Sequence, residues 1–268
     1  MAITSLDGAL AGMQAPREFI KAVSGTLVAG RPHSYFYQAG IPAAAAAPTP
    51  GIGGAVLTSY TGQLPFANPS SGNAYLARLQ AAVTQAGTLL LCDRLWHNSG
   101  INETLNTEQV FTDSAQIPAR DRTGTNAGVD VFAAVEVSSA TGAGTPTLTL
   151  KYTNSAGDQD KTATGVINSV ASSIAGSFYP IGLAAGDLGI QKAQSLTLSA
   201  TWTQGEIHVV LYRVLARLEL SLAATPNAID SLTGGFVRAY DNTVPFLVFI
   251  PSTTTSSTAQ GHVIWTHG

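Results

Sequence analysis

The chain has 268 residues, of which 45% are apolar and only 11% charged; 13 basic and 16 acidic side chains leave a net charge of -3. An average soluble domain is about 25% charged, so this surface is polar but largely uncharged. It suits packing against other subunits, and without a basic stripe it gives nucleic-acid binding no support. The length supports a sizeable core, the apolar content excludes general disorder, and the single cysteine, Cys92, excludes an intramolecular disulfide or a cysteine zinc cluster.

Residues 1–60 read as an extended N-terminal arm. Leu6 to Met13 predicts one or two helical turns weakened by Gly8 and Gly12. Pro16 is placed to start another short turn through Arg17, Glu18, Phe19 and Ile20. The aromatic cluster Tyr35-Phe36-Tyr37 precedes an alanine run locked between Pro42 and Pro48, which predicts an extended connector rather than a helix. A segment of this composition buries its aromatics only against another surface. That surface is its own domain, as a strap, or a neighbouring subunit, as a clamp, and the arm is expected to act as the clamp.

Residues 61–222 read as a β-sandwich or jelly-roll domain, with Leu57 to Phe66 opening the ordered β region. Tyr75 to Val83 alternates as a strand, and Thr88 to His97 reads as a buried strand in which Cys92 is a small apolar residue. Ile101 to Gly128 is a long polar loop with at most one short strand. It contains Arg120-Asp121-Arg122, which pair locally or contact a partner. Val129 to Val137 predicts a strand. Leu148 to Tyr152 and Thr162 to Ile167 predict a hairpin over Asn154–Asp158, and Ile174 to Gly189 is irregular.

Gln194 to Leu220 carries the clearest hairpin pattern. Leu196, Leu198, Ala200 and Trp202 alternate with hydroxyl residues, and Thr203 to Glu206 turns the chain. The second arm, Ile207 to Leu220, is apolar on both faces in its first half, which places it in the middle of a sheet. Unbroken it would reach roughly 45 Å, so a bend or a projection beyond the core is expected. Residues 223–268 read as a C-terminal β segment packed on the same domain, with a strand at Phe246 to Ile250, a Ser/Thr loop at Ser252 to Ala259 and a closing strand at Gly261 to Thr266. The fold class expected from these elements is all-β, a jelly-roll-like β-sandwich with an extended N-terminal arm.

Residues able to carry chemistry are few. His33, His97, His208, His262 and His267 show no metal-ligand spacing, and His208 reads as a hydrogen-bonded sheet residue. Gly51 to Gly54 lacks the helix and lysine of a phosphate loop. Asp158 and Asp160 supply two oxygen donors where calcium takes about six to eight, so a solvated turn is expected. Trp96, Trp202 and Trp265 each end an apolar run and read as core. No catalytic, cofactor-binding or metal-ligating residue is assigned, no cofactor is expected, and the chain is not read as an enzyme. A secretory leader pattern is lacking, as is an apolar run of about 20 residues, so synthesis in the cytoplasm and no membrane partner are expected.

The phrases Met1–Gly8, Met13–Phe19 and Gly30–Phe36, with Leu95–Gly100 and Tyr240–Phe246, resemble structural proteins of tailed bacteriophages. The resemblance implies a virion protein on the head surface, a capsid decoration or cement protein. Its partners would be the major capsid protein and copies of itself, with the arm as the clamp on either, and a trimer would fit the threefold positions of a capsid lattice. A tail fibre or receptor-binding module recognising a cell-surface glycan is the alternative, and a depolymerase is a third class.

Overall fold

The computed structural model describes residues 3, 5–23 and 25–268. Among these the chain begins with helix α1 (Leu6–Ala11), then β1 (Arg17–Val23), β2 (His33–Ser34), β3 (Ala39–Ile41), β4 (Ala55–Val56), β5 (Ala74–Val83) and β6 (Gly87–His97). There follow β7 (Gln109–Val110), β8 (Val131–Ser139), β9 (Leu148–Asn154), β10 (Lys161–Thr164), β11 (Phe178–Ile181), β12 (Ile190–Leu198) and β13 (Glu206–Leu220). The chain ends with β14 (Asn227–Asp230), helix α2 (Ser231–Gly234), β15 (Arg238–Ala239), β16 (Pro245–Pro251) and β17 (Ser257–His267).

The protein is all-β, and its strands pair antiparallel in three sheets. A central sheet runs β11-β8-β13-β6-β16-β2, with β4 added on β6. A terminal sheet, holding strands from both ends of the chain, runs β14-β5-β17-β1-β3, with β15 added on β5; a smaller hairpin sheet runs β10-β9-β12-β7. The inner face of the central sheet makes two cores. At one end Val131, Ala133, Val135 and Val137 of β8 with Ile207, Val209 and Leu211 of β13 pack against Leu148, Leu150, Leu196 and Leu198 of the hairpin sheet. At the other end Leu89 and Leu91 of β6 with Leu215, Leu218 and Leu220 of β13 pack against Phe19, Leu79, Val263 and Trp265 of the terminal sheet. Burying each large apolar side chain among these contributes about 1.5–3 kcal/mol.

The second arm of the predicted hairpin does lie mid-sheet, as β13 between β8 and β6. The hairpin itself is corrected. β12 pairs with β9 and β7, and β13 with β8 and β6, so the two arms sit in different sheets. Their apolar faces explain this: Leu196 and Leu198 meet Ile207 and Val209 across one core, whereas edge-to-edge pairing would put both faces on one side of a single sheet. Trp202, in the connection, fills the same core and donates its indole N–H to the Val170 carbonyl at 3.1 Å.

The ladder between β13 and β6 shifts register at Leu211/Tyr212, where the extra residue is Leu95 of β6, and again at Val214/Ala216, where it is Leu215 of β13 itself. Such a shift moves the following side chains to the opposite face. Ile207, Val209 and Leu211 therefore point inward before it, and Leu218 and Leu220 after it. The even positions Val210 and Tyr212 point outward, where Phe36, Phe178 and Phe246 cover them.

The arm expected as a clamp on neighbours instead lies, in its described residues up to 60, on its own chain as a strap. β1 pairs with β17 and β3, and Phe19, Tyr35 and Phe36 are buried in this chain's own cores. The turn expected at Arg17–Ile20 is instead part of β1, because seven cross-strand partners on β17 and the inward alternation of Phe19, Lys21 and Val23 outweigh the proline signal. Leu57 to Phe66 holds no strand, since β4 stops at Val56, and the segment read as irregular from Ile174 contains β11. The β9–β10 hairpin and the long loop with one short strand, β7, are as expected.

Candidate functional site

The charged side chains that interrupt apolar strand runs come together at the middle of the central sheet. On the outer face, Arg94 of β6 and Glu136 of β8 are both fully buried, with Nη1 and Oε2 2.6 Å apart. The guanidinium lies 4.4 Å from the centre of the Phe36 ring and 5.6 Å from that of Phe246, and Nη2 reaches the Tyr37 hydroxyl at 3.4 Å. Burial opposes the charge on Arg94, but the Glu136 carboxylate and Tyr37 outweigh it and hold the proton above the usual range. Burial, with the Glu136 charge, pushes the Tyr37 phenol well up.

Two histidines complete this outer seam. Arg94 Nε, which can only donate, binds His97 Nδ1 at 3.1 Å, so that nitrogen is an acceptor. His208 Nδ1 meets the Asn98 carbonyl at 2.9 Å and therefore carries the proton, leaving Nε2 to accept from the Ser138 hydroxyl at 2.7 Å. Both rings are thus held neutral. Burial and the Arg94 charge lower His97 to about 2, and the same two causes lower His208 to about 4 despite its bond to Asn98. Glu206, 3.8 Å from His208, is partly exposed and does not reverse this.

The strap closes the seam from above. Tyr60 packs edge-on to His97 with ring centres 4.8 Å apart, and Tyr37 lies 6.5 Å from His208. The strap is fixed to β1 by Lys21, whose ammonium donates to the carbonyls of Gln38 at 3.1 Å, Pro42 at 2.6 Å and Ala43 at 3.3 Å. Burial lowers the Lys21 pKa to about 8.

On the inner face, between the two cores, Asp93 receives Arg120 from the long loop, with Nε 3.2 Å from Oδ2. Asp93 also accepts from the Val244 N–H at 2.9 Å. Arg120 donates to the carbonyls of Leu57 and Arg94, at 2.8 and 3.1 Å, and to that of Asn242. Asp121 is buried and accepts six bonds, from the N–H and hydroxyl of both Thr123 and Thr125 and from the N–H of Gly128 and Val129. Burial works against its charge, but these donors win and its pKa falls below the usual value. Arg122 is exposed and pairs with Asp130 at 3.0 Å. The Arg120-Asp121-Arg122 run therefore pairs within the chain.

The other residues singled out from the sequence have structural places. Trp96, Trp202 and Trp265 are core, and Cys92 is fully buried, which pushes its thiol well up. Asp158 pairs with Lys161 at 3.3 Å, and Asn154 donates to Asp158 and to Asp187 at the same turn. His33 is buried at the start of the strap, while His262 and His267 are half-buried on β17. Among the described residues no three His, Cys, Asp or Glu side chains are grouped to hold a metal ion. Arg94, Glu136 and Lys21 were not singled out from the sequence, and Tyr37 was noted only as one of the arm's aromatics. The available signal was a lone charge inside an apolar strand run, as in Leu89–Trp96 and Val131–Val137, where an ion must find a buried partner.

Apolar side chains are left on the surface. Leu6, Leu232 and Phe236 line, with Ile3, a cleft of about 290 Å³ between α1 and α2, and Leu232 is 75% exposed. Ile20 and Ile41 face each other across β1 and the exposed edge strand β3. Val110 and Val166 are 60% and 67% exposed. A polar cleft of about 300 Å³ lies between Asn73, Thr123, Arg238 and Asp241.

No family model and no curated protein matches this sequence. Among solved structures, the chain is similar at 10% identity to the infectious bursal disease virus VP2 subviral particle, over 96% of this chain and 81% of that one, with a TM-score of 0.16. It is similar at 11% identity to the infectious bursal disease virus Gt strain structure, over 94% and 81%, with a TM-score of 0.17. Superpositions at these scores carry no argument about fold or role, and the architecture rests on the strand pairing itself.

Proposed function

We propose that this chain is a structural subunit of a virus particle, and more specifically a decoration protein that binds and stabilises the head lattice of a tailed bacteriophage. The observation that carries this reading is the division of side chains between interior and surface. The buried ions Arg94, Glu136, Asp93, Arg120 and Lys21 bind strands, loop and strap to one another. The surface, poor in charge, keeps large apolar groups such as Leu6, Leu232, Phe236, Ile20 and Ile41 in water. Clustered apolar side chains on a low-charge surface are what a lattice-binding subunit presents to its neighbours. The partners under this reading are the major capsid protein and further copies of this chain.

One feature favours a second reading, a tail module that binds a cell-surface glycan: the polar cleft with Asn73, Thr123, Arg238 and Asp241, whose amide, hydroxyl, guanidinium and carboxylate suit sugar hydroxyls. Tagged protein added to particles lacking it separates the two. Cosedimentation with isolated heads, lost in a Leu232→Ser/Phe236→Ser variant that still folds, supports the decoration reading. Binding to isolated tails, or to a glycan array with loss on Asp241→Ala, replaces it with the tail reading.

A further inference from the structure

The strap covers a face that holds two neutral, buried histidines and carries a third itself. His97 and His208 lie beneath Tyr60 and Tyr37, and His33 begins the strap as part of β2. At each ring one nitrogen accepts a hydrogen bond, from Arg94 Nε to His97, from the Ser138 hydroxyl to His208, and from the Gln38 side-chain amide to His33 Nε2 at 3.3 Å. Protonating His97 or His33 removes that acceptor and sets the new N–H against a donor. At His97 it also brings two cations into contact.

We propose that residues 36–50, with Tyr60, form an acid-released latch: protonation of His33, His97 and His208 lifts this part of the strap off the outer face of the central sheet while the two inner cores, which hold Tyr35, Ile52 and Val56, stay folded. The inference stands independently of the capsid reading.

The groups facing these rings come from every side. His97 meets Arg94 on its own strand, His208 on β13 and Tyr60 on the strap. Around His208 lie Arg94, Glu206, Ser138 and Tyr37. Glu136 faces Arg94 with Oε2 and keeps Oε1 buried without a partner, and the partly exposed Glu206 carboxylate lies 3.8 Å from His208. His33 meets Tyr35 and Gln38 and shares a cleft with Arg31, a further cation. Burial lowers His33 to about 3. A ring that titrates near its ordinary value, about 6.5, once uncovered favours the open form by about tenfold for each pH unit below that value. Lys21 is protonated throughout the acid range, so its grip on Gln38, Pro42 and Ala43 holds that point while the rest of the strap opens. Opening uncovers Phe36, Phe178, Tyr212 and Phe246, an aromatic face absent from the closed surface.

Hydrogen exchange by mass spectrometry on the full chain between pH 7.5 and 4.5, corrected for intrinsic rates, tests the latch. Peptides from 36–50 are expected to lose protection at least tenfold between pH 6 and 4.5, while peptides from β9 and β12 keep theirs. His97→Gln and His208→Gln, which keep a hydrogen-bonding side chain but cannot take up a proton, should each move the opening midpoint to lower pH. Loss of protection by strap and hairpin sheet together overturns the proposal, as does a midpoint that neither variant moves. If a variant does not fold, imidazole NMR titration of the unaltered protein decides: His97 and His208 resonances that titrate near pH 6.5 with the strap still protected overturn it, and resonances that change only as the strap opens support it.

Discussion

Asp93 and Arg94 are consecutive residues of β6, so their side chains leave the central sheet on opposite faces, and each ends in a buried ion pair. Arg94 binds Glu136 within the sheet, beneath a strap of aromatic side chains and beside two histidines. Asp93 binds Arg120 from a loop, and Arg120 is further held by three backbone carbonyls. The inner pair thus fastens the loop to the sheet, and Arg120 pairs the backbone carbonyls of Leu57, Arg94 and Asn242, which burial would otherwise leave unmet. The outer pair fastens two strands that the sheet ladder already aligns, and its surroundings respond to protons. Similar ion-pair chemistry therefore does different work on the two faces.

The largest expected effect comes from removing one partner. Glu136→Ala and Asp93→Ala should each destabilise the fold by about 3–5 kcal/mol in urea titrations, because each leaves a guanidinium buried without its carboxylate. The double variants distinguish the faces. Arg94→Met with Glu136→Leu should return to within about 1–2 kcal/mol of the original protein, since a dry ion pair is often replaceable by apolar groups and what else is lost is one donor to His97 Nδ1 and a long contact to Tyr37. Asp93→Leu with Arg120→Met should remain destabilised by roughly 2 kcal/mol or more, because the carbonyls of Leu57, Arg94 and Asn242 and the N–H of Val244 lose their partners. Equal recovery of the two double variants would remove the distinction.

Asp121 sharpens the inner side. Asp121→Ala strips six acceptor contacts from residues 123–129 and should cost about 2–3 kcal/mol. Hydrogen exchange should quicken in 121–129 and stay unchanged in the strap. An equal response in both segments would mean that the two faces are not separable.

The pH dependence belongs to the outer side and is the smallest effect per residue. His33, His97 and His208 have folded pKa values of about 3, 2 and 4, below the unfolded value. The unfolded chain therefore binds more protons below about pH 6.5, and stability falls as pH falls from there toward each folded value. Each histidine contributes a slope of up to about 1.4 kcal/mol per pH unit. His208→Gln should flatten the measured stability–pH curve between pH 6 and 5 by about that amount; an unchanged slope would show that His208 is not held neutral in the fold.

Much of the fold was legible because strand patterning is local. The runs Thr88–His97, Val129–Val137 and Phe246–Ile250 correspond to β6, β8 and β16, and Ile207–Leu220 declared its central position by being apolar on both faces. Arg17–Ile20 misled because its fate depends on β17, more than 230 residues away, and no local signal encodes that partner. The site was less legible. His208 and the three tryptophans carried recognisable patterns, but Arg94, Glu136 and Lys21 look like single charges in strands until their partners are known.

By itself the sequence determined the class of this protein: strand-forming residues between glycine and proline turns, and enough apolar side chains for a large core. Tertiary structure alone decided which strands share a sheet. Leu196 and Val209 are apolar whether they flank a hairpin or face each other across a core, because burial is non-directional and either arrangement removes them from water. It also decided whether the aromatic arm lies on its own chain, and it set Arg94 against Glu136. Those outcomes rest on contacts between residues far apart in the chain, whose geometry no local pattern specifies.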